Sequence, residues 1–569
     1  MGLPDVKISI RNGALGQVPP SGASNQMKIG ICSLGIVGLF YAFGDMITAQ
    51  ASLGQGPLLE AVAQALATGA GTVYAMPVNP SAAGANGSVS KASPTGAAGT
   101  VTLGLAPGLT VKLKIVGAGA NGTMTFQYSV GGSSYSAAQA TTGGTFAFAV
   151  PGTLTTVTFA TGQSWVSGDI YTVNTDGTVV LTGSGPAASN VTQASSPLDT
   201  YSSLITITTA GALGVAQFTY SLDGGTKTSA QILVPSGGVY VIPNSGIVVT
   251  FASTFGLGDT FSWTTTTASF TTGDVTTALT SILANSAQWG FLHVVGMPSS
   301  AANAASLAST VDAQLLVAKT AYRFVRAITE CPTTESDSTI AAAFVNFVSG
   351  DGRLGVAVGT VLTTSPLTGL QLHRPLAWAV TARLGSVAIS EEPSFVGRGP
   401  LAFVNGLTKG IDRDENATPY LDAARFMTAR YIPGIPGVYV TRGQMMDIPG
   451  GDFNRISRGR VMDVACSTAR AGLLPYLNGT VNVDTKTGYI AEVDAKNIEV
   501  IVTQKLKDVL VSNGNASGAS VVLSRTANIL STLAEPVTVR VIPLAIIEEF
   551  DVDIGFSNPV LTAQLGLSS

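Results

Sequence analysis

From about Ser81 to Gly273 the chain changes character, and that change limits what the whole can fold into. No Arg falls between Arg11 and Arg323, and no Glu between Glu60 and Glu330. Gly, Ser, Thr, Ala and Val dominate, and strand-like runs are broken by Gly-rich turns. The stretch also repeats itself. Gly122-Thr-Met-Thr-Phe126-Gln-Tyr128 returns as Gly214-Val-Ala-Gln-Phe218-Thr-Tyr220, Val157-Thr-Phe159 as Val249-Thr-Phe251, and Gly168-Asp169-Ile-Tyr171 as Gly258-Asp259-Thr-Phe261. Three matched segments in one order, offset by roughly 90 residues, describe two small β-modules rather than a solenoid. The flanking sequence alternates strand and helix patterns, so an α/β body is expected to carry the two modules in a loop.

Composition says what covers such a body. Of 569 residues, 45% are hydrophobic and only 11% charged, with mean hydropathy +0.38. The most apolar run, Ile29 to Gly44, is shorter than the ~20 residues that span a bilayer and holds four glycines. The start, Met1-Gly-Leu-Pro-Asp5, carries an early acid and no apolar core, so no signal peptide is expected. The apolar surplus is therefore expected to meet copies of the same chain. A net charge of −4 and the lack of a basic stripe argue against nucleic-acid binding. Cys32, Cys331 and Cys466 lie far apart and read as buried thiols of a reducing compartment.

Along the chain, Val6, Ile8 and Ile10 alternate with polar residues and form a strand cut off by glycines and prolines. A strand at Met27–Leu34, a helix at Gly56–Leu66 and a strand at Thr72–Pro77 follow. After the modules, Asp274 is the expected N-cap of a helix through Leu283. Then come strand Gly290–Val295, helix Ala301–Lys319, strand Tyr322–Thr329, helix Ser338–Val348 and strand Leu354–Val361. Later elements are a helix at Ser457–Leu474, a short strand at Thr480–Asp484 and a helix at about Ala491–Val511. Phe550, Val552, Ile554 and Phe556 alternate with Asp551, Asp553 and Gly555 in a last strand. Both ends thus read as strands able to pair outside their own domain.

Motifs for chemistry have plain readings. Gly350-Asp-Gly-Arg-Leu-Gly355 matches a dinucleotide fingerprint but precedes a strand, so it is a turn. Gly54-Gln-Gly56-Pro57 opens a helix with Pro at its first position. Asp412-Arg-Asp414 lacks the Gly and closing Glu of a calcium loop. His293 reads as a packed strand residue and His373 as a loop residue, leaving no basis for a triad or a metal site. Glu391-Glu392 and Glu548-Glu549 are adjacent and make poor acid–base pairs. Arg455, Arg458 and Arg460 cluster before a helix and could bind phosphate, but Asp447, Asp452 and Asp463 are near enough to pair with them. No catalytic, cofactor or metal residue is assigned.

Four segments, taken in order, carry a resemblance to contractile tail sheath proteins of bacteriophages and related contractile injection systems. They are Pro4-Asp-Val-Lys-Ile-Ser-Ile10 with Lys28-Ile-Gly-Ile31; Leu53-Gly-Gln-Gly-Pro-Leu-Leu-Glu60 with Val73-Tyr-Ala-Met-Pro77; Gly437-Val-Tyr-Val440 leading to Gly451-Asp-Phe453 and Arg460-Val-Met-Asp463; and Leu473 to Asp484 with the helix after it and Val537 to Pro559. The resemblance implies an α+β or α/β multidomain protein. Its discontinuous sheath core would be built from N- and C-terminal segments; the inserted all-β region of two duplicated β-sandwich-like modules, read from the repeat itself, departs from the family's pattern by its early place. The implied layout is an N-terminal arm (1–25), an N-terminal core segment (26–80), the modules (81–273, at about 100–180 and 203–267), an α/β domain (274–375), a C-terminal core segment (376–544) and a C-terminal arm (545–569). The arms would pair with neighbouring subunits through Val6, Ile8 and Ile10 and through Phe550, Val552, Ile554 and Phe556. A C-terminal-region helix would touch the tube, either Arg525–Leu533 or Ala491–Val511 with Ile498, Val502, Lys505 and Val509. The implied partners are the chain itself, a tail tube protein and baseplate and tail terminator proteins. Neither nucleic acid nor membrane insertion is expected, no cofactor is needed, and the place is a virion tail assembled in the bacterial host cytoplasm. The alternative from another class is a surface adhesin whose modules bind a host ligand.

Overall fold

The computed structural model describes residues 22–555 apart from 88, 93–99, 105–110, 145, 151–154, 174–178, 183–190 and 195–196. It divides into two units, residues 1–479 and 480–569. Val6, Ile8, Ile10 and Phe556 lie outside the described residues.

The first unit is organised by one six-stranded sheet. Its strands are β1 (Gln26–Gly30), β2 (Tyr41–Phe43), β3 (Val73–Pro77), β4 (Phe291–Val294), β5 (Arg326–Cys331) and β6 (Leu354–Val358), in the order β2-β3-β1-β4-β5-β6. All neighbours are parallel except the antiparallel edge strand β2. β1, β4, β5 and β6 are buried along their whole length, as strands covered on both faces must be. Helices α3 (Thr272–Ala284) and α4 (Ala301–Thr320) pack on the face that carries Met27, Ile29, Leu292, Val294 and Ala327. Helices α1 (Met46–Leu53), α2 (Pro57–Ala67) and α6 (Leu376–Ser386) cover the other face, which carries Ala75, Phe291, Ile328 and Ala357. The α/β reading therefore holds for the body, but its division changes. Residues 26–80 and 274–375, expected as separate segments, share one sheet, because β1 lies between β3 and β4.

Local corrections have local causes. Thr271, not Asp274, caps α3: its side chain accepts from the Asp274 amide while Asp274 accepts a bond from the Thr271 amide, forming a capping box. The expected strand Leu354–Val361 is two strands. Gly359, at φ 87°, turns the chain out of the sheet into Thr360–Thr364, which pairs with Gln371–Pro375. His373 therefore stands on a strand, not a loop. The helix expected at Ser338–Val348 stops early, as α5 (Asp337–Ala343).

The inserted region pairs in a repeated pattern. Val111–Gly117 lies between Thr125–Val130 and Ile170–Val173, just as Ser202–Thr209 lies between Gln217–Ser221 and Thr260–Thr266. The main-chain bonds repeat too. Gly119 bridges Trp165 as Gly211 bridges Phe255, and the Gly168 amide donates to Ile115 as the Gly258 amide does to Ile207. Each set closes around its own aromatic core, Phe126, Phe159, Trp165 and Tyr171 in one and Phe218, Phe251, Phe255 and Phe261 in the other. The boundaries differ from 100–180 and 203–267. Thr100–Gly104 pairs with Ile247–Ala252 of the later set, and Val191–Ala194 completes the earlier one. The first set is thus nested inside the second.

In the second unit, helix α8 (Glu492–Leu506) runs into a wider π turn, Lys507–Val511, and packs on the hairpin β7 (Gly518–Leu523) and β8 (Val537–Ile542). The strand expected at Thr480–Asp484 is reduced to a single bridge between Val483 and Ile490.

Candidate functional site: assembly surfaces and buried polar clusters

The C-terminal segment leaves the hairpin at Ile542, and the described residues 543–555 form neither strand nor helix. The strand expected over Phe550–Phe556 is therefore absent from the described residues of the isolated chain. Phe550, Val552 and Ile554 are 79%, 67% and 88% exposed. Large side chains this bare on a short segment mark a surface that expects a cover.

α8 corrects the proposed tube contact. Ile498 and Val502 are buried, on the helix face with Ala495 and Leu506, and the hairpin lays Ala519, Val521 and Leu523 inward. The Thr503 hydroxyl accepts from the Val521 amide at 3.1 Å and Glu499 from the Leu523 amide at 2.8 Å, locking helix to hairpin. Burial would raise the Glu499 carboxyl, but bonds from Arg525, the Leu523 amide and Lys496 hold it at about 2. Lys505 is exposed and Val509 half-buried. The exposed side of α8 carries Val493, Val500 and Ile501, three apolar groups left uncovered by the described residues of this unit.

The core holds a polar cluster that the sequence reading missed. Lys28, His293 and Glu330 stand on the adjacent strands β1, β4 and β5, and all three are fully buried. Strand parity turns them toward α6. There Lys28 Nζ donates to Thr381 Oγ1 at 2.9 Å and lies 3.0 Å from His293 Nδ1. His293 Nε2 lies 2.9 Å from Glu330 Oε1, which also accepts from Trp378 Nε1 at 2.9 Å. Burial pulls the Lys28 ammonium down to about 7 and pushes the Glu330 carboxyl up to about 8. It drives His293 far below its usual value, so the imidazole is neutral. None of the three reaches solvent, so the cluster joins β1, β4, β5 and α6 rather than meeting a substrate. Polar residues inside buried apolar strands were the available signal, but Gln26, Arg326 and Thr329 share it, and only the register brings Lys28, His293 and Glu330 together.

A second cluster joins insert to body. Arg374 makes two bonds to Asp199, at 2.8 and 2.6 Å, and Glu60 accepts from Ser365 at 2.7 Å. Burial opposes the charge on Arg374, but Asp199 outweighs it and holds the proton more tightly than usual. Beside this pair lies a cleft of about 380 Å³, lined by Gln50, Gln55, Tyr201, Tyr220, Lys227 and Asn244 among others. His373 lies 3.0 Å from both oxygens of Asp412. Gly350–Gly352 is a tight turn before β6, as its order in the sequence implied. The arginines near α7 (Ile456–Leu473) pair otherwise than expected. Asp463 receives Arg326 and Arg353, not Arg460. Among the described residues no three His, Cys, Asp or Glu gather as metal ligands, and no helix is long and apolar enough to cross a membrane.

Known proteins supply the remaining observations. The model of a family described as DUF2586, N-terminal domain, matches residues 3–444. A stretch of 90 residues is 28% identical to the putative tail sheath protein of Haemophilus phage HP1 (strain HP1c1), covering 15% of this chain and 24% of that protein. The match thus spans about a quarter of that relative's length. Among solved structures, the sheath tail protein of Desulfitobacterium hafniense is similar at 12% identity and TM-score 0.40, over 95% of this chain and 100% of that one. A sheath tail protein of Listeria innocua is similar at 12% identity and TM-score 0.39, over 91% and 94%. The sheath of an extracellular contractile injection system in its contracted state gives 13% identity and TM-score 0.37, over 50% and 75%.

Proposed function

The chain belongs to the DUF2586 family, and from that premise we propose that it is the structural subunit of a contractile tail sheath, not an enzyme. Many copies polymerise around a tail tube, and their repacking into a shorter, wider array drives the tube through the host cell envelope. The observation that carries this reading is the stretch shared with the putative tail sheath protein of phage HP1. The surface agrees with it: Phe550, Val552 and Ile554 on the C-terminal segment and Val493, Val500 and Ile501 on α8 are apolar groups that a polymer would cover. The adhesin alternative has no counterpart among the similar proteins.

In this reading residues 1–25 and 545–569 are the linking arms. Val6, Ile8 and Ile10 at one end and Phe550, Val552, Ile554 and Phe556 at the other become strands only on a neighbour's sheet, each main-chain bond contributing about 1 kcal/mol. The two nested β-modules decorate the outside. The tube, baseplate and tail terminator proteins are the further partners, with the exposed side of α8 around Lys505, rather than Ile498 and Val502, offered to the tube. The sheath would sit in a virion tail or related injection machine and assemble in the host cytoplasm. Negative-stain electron microscopy of the purified chain tests this: tubes or stacked rings are expected, and a monodisperse monomer at high concentration across a range of salt would overturn the reading.

A further inference from the structure

Arg460, on α7, is fully buried, yet most of its charge has no partner among the described residues. Its Nη2 donates to the Ala23 carbonyl at 3.2 Å, and its guanidinium lies over the Phe291 ring, 5.4 Å from the centroid. Nε and Nη1 make no hydrogen bond. The neighbourhood does not supply the missing charge. Asp463, one turn on, is already taken: Arg326 Nε lies 2.8 Å from its Oδ2, close enough for an ion pair though not aligned as a hydrogen bond, and Arg353 Nη1 lies 3.2 Å from its Oδ1. Asp351 faces Lys319 and Arg353. Asp463 is thus shared by Arg326 and Arg353 and makes neither a hydrogen bond nor an ion pair with Arg460. Burial pulls Arg460 down to about 10 against the opposite pull of Glu392, so it remains charged at neutral pH.

An uncompensated buried cation is costly, and folded proteins answer it with a counter-charge. The space for one is present. A cavity of about 90 Å³ opens against Arg460, walled by Ala23, Trp289, Phe324, Thr468 and Asp463 among others, the Asp463 carboxylate being neutralised by Arg326 and Arg353. That volume accommodates one small oxyanion, with the Thr468 hydroxyl at hand as a further donor, the Ser467 hydroxyl already donating to the Asp463 carbonyl at 2.9 Å. We propose that this cavity is an oxyanion site, filled by a single carboxylate or inorganic phosphate that bonds to Arg460. The ligand has two possible sources. It is either a free anion or a protein carboxylate: Asp5, the only acid in residues 1–21, or Glu549, Asp551 and Asp553 of a second copy, which stand two apart on its exposed C-terminal segment.

Thermal melting of the full chain at low concentration tests it, with sodium phosphate or acetate added at ionic strength matched by chloride. Three proteins are compared: the natural chain, R460M, and the chain with D5N, E549Q, D551N and D553N. A saturable rise in melting temperature that R460M lacks assigns the site. A larger rise in the four-substitution chain than in the natural one identifies a terminal carboxylate as the usual occupant, and equal rises identify a free anion. If R460M does not fold, isothermal titration of phosphate into the four-substitution chain decides, with one site per chain expected. The absence of any saturable phosphate or acetate response in both the natural and the four-substitution chains overturns the proposal.

Discussion

Lys28 illustrates how one residue can be right for a strand and wrong for a core. It sits in the middle of a central strand, and only His293 and Thr381 within 3.0 Å make its burial tolerable. Replacing it by Met removes the ammonium that steadies the Glu330 carboxylate. Leaving the buried polar atoms of His293 and Thr381 without that partner typically costs about 1–3 kcal/mol. The sign of the pH effect follows from Glu330, whose folded value of about 8 lies above the ordinary 4.5. Its contribution is fully present below pH 4.5 and is lost as pH rises toward 8, and without Lys28 the loss steepens. Urea unfolding of K28M at several pH values, from about 5 to about 8, should therefore show stability falling relative to K28M/E330Q. A flat difference would refute the coupling. At Arg374, D199N should destabilise the junction by about 3–5 kcal/mol, since it leaves a buried guanidinium unpaired. Calorimetry of D199N against D199N/R374M reads this, with the second substitution expected to restore some of the loss.

At the scale of elements, α8 shows which of its faces is spoken for. Val502 is buried against the hairpin and Val500 is exposed two residues earlier. V502D buries an unpaired carboxylate and should unfold the C-terminal unit or cost it several kcal/mol. V500D should change subunit stability by less than about 0.5 kcal/mol. Circular dichroism melts of the two variants compare them directly, and equal losses would mean that the helix packs otherwise. The helix was legible from its sequence, but its inner face was not. Ile498–Val502–Leu506 and Val493–Val500–Ile501 are both apolar stripes at helical spacing, and only the hairpin selects between them. The α3 cap was misplaced by three residues for a similar reason, as Thr271 and Asp274 satisfy each other and either alone resembles a cap.

For the whole molecule, nesting of the β-sets predicts an asymmetry. Thr100–Gly104 and Ser202–Thr266 belong to one folded set, so residues 105–196 can be replaced by a short Gly/Ser linker with little harm to the rest. Removing Ala82–Thr272 entirely should be far more damaging, because it strips Asp199 from Arg374 and bares the Leu372 side chain that packs into the second set. Soluble yield and melting temperature of the two deletions test this, and equal behaviour would contradict the junction. Removal of residues 545–569 should leave the melting of the subunit unchanged, since Phe550, Val552 and Ile554 are exposed, while abolishing long polymers in electron micrographs.

Composition and pattern alone determined that the chain has an α/β body with a repeated, strand-rich insertion, because hydrophobic period and glycine placement are written locally. The order β2-β3-β1-β4-β5-β6 was not local information. It requires β1 to pair with β4 across more than two hundred intervening residues, and no feature of either strand names the other. The same register brings Lys28, His293 and Glu330 together, and the same packing leaves Arg460 charged beside an open cavity. Strand pairing and helix docking choose among partners that are equally apolar along the chain, so those choices belonged to the tertiary structure.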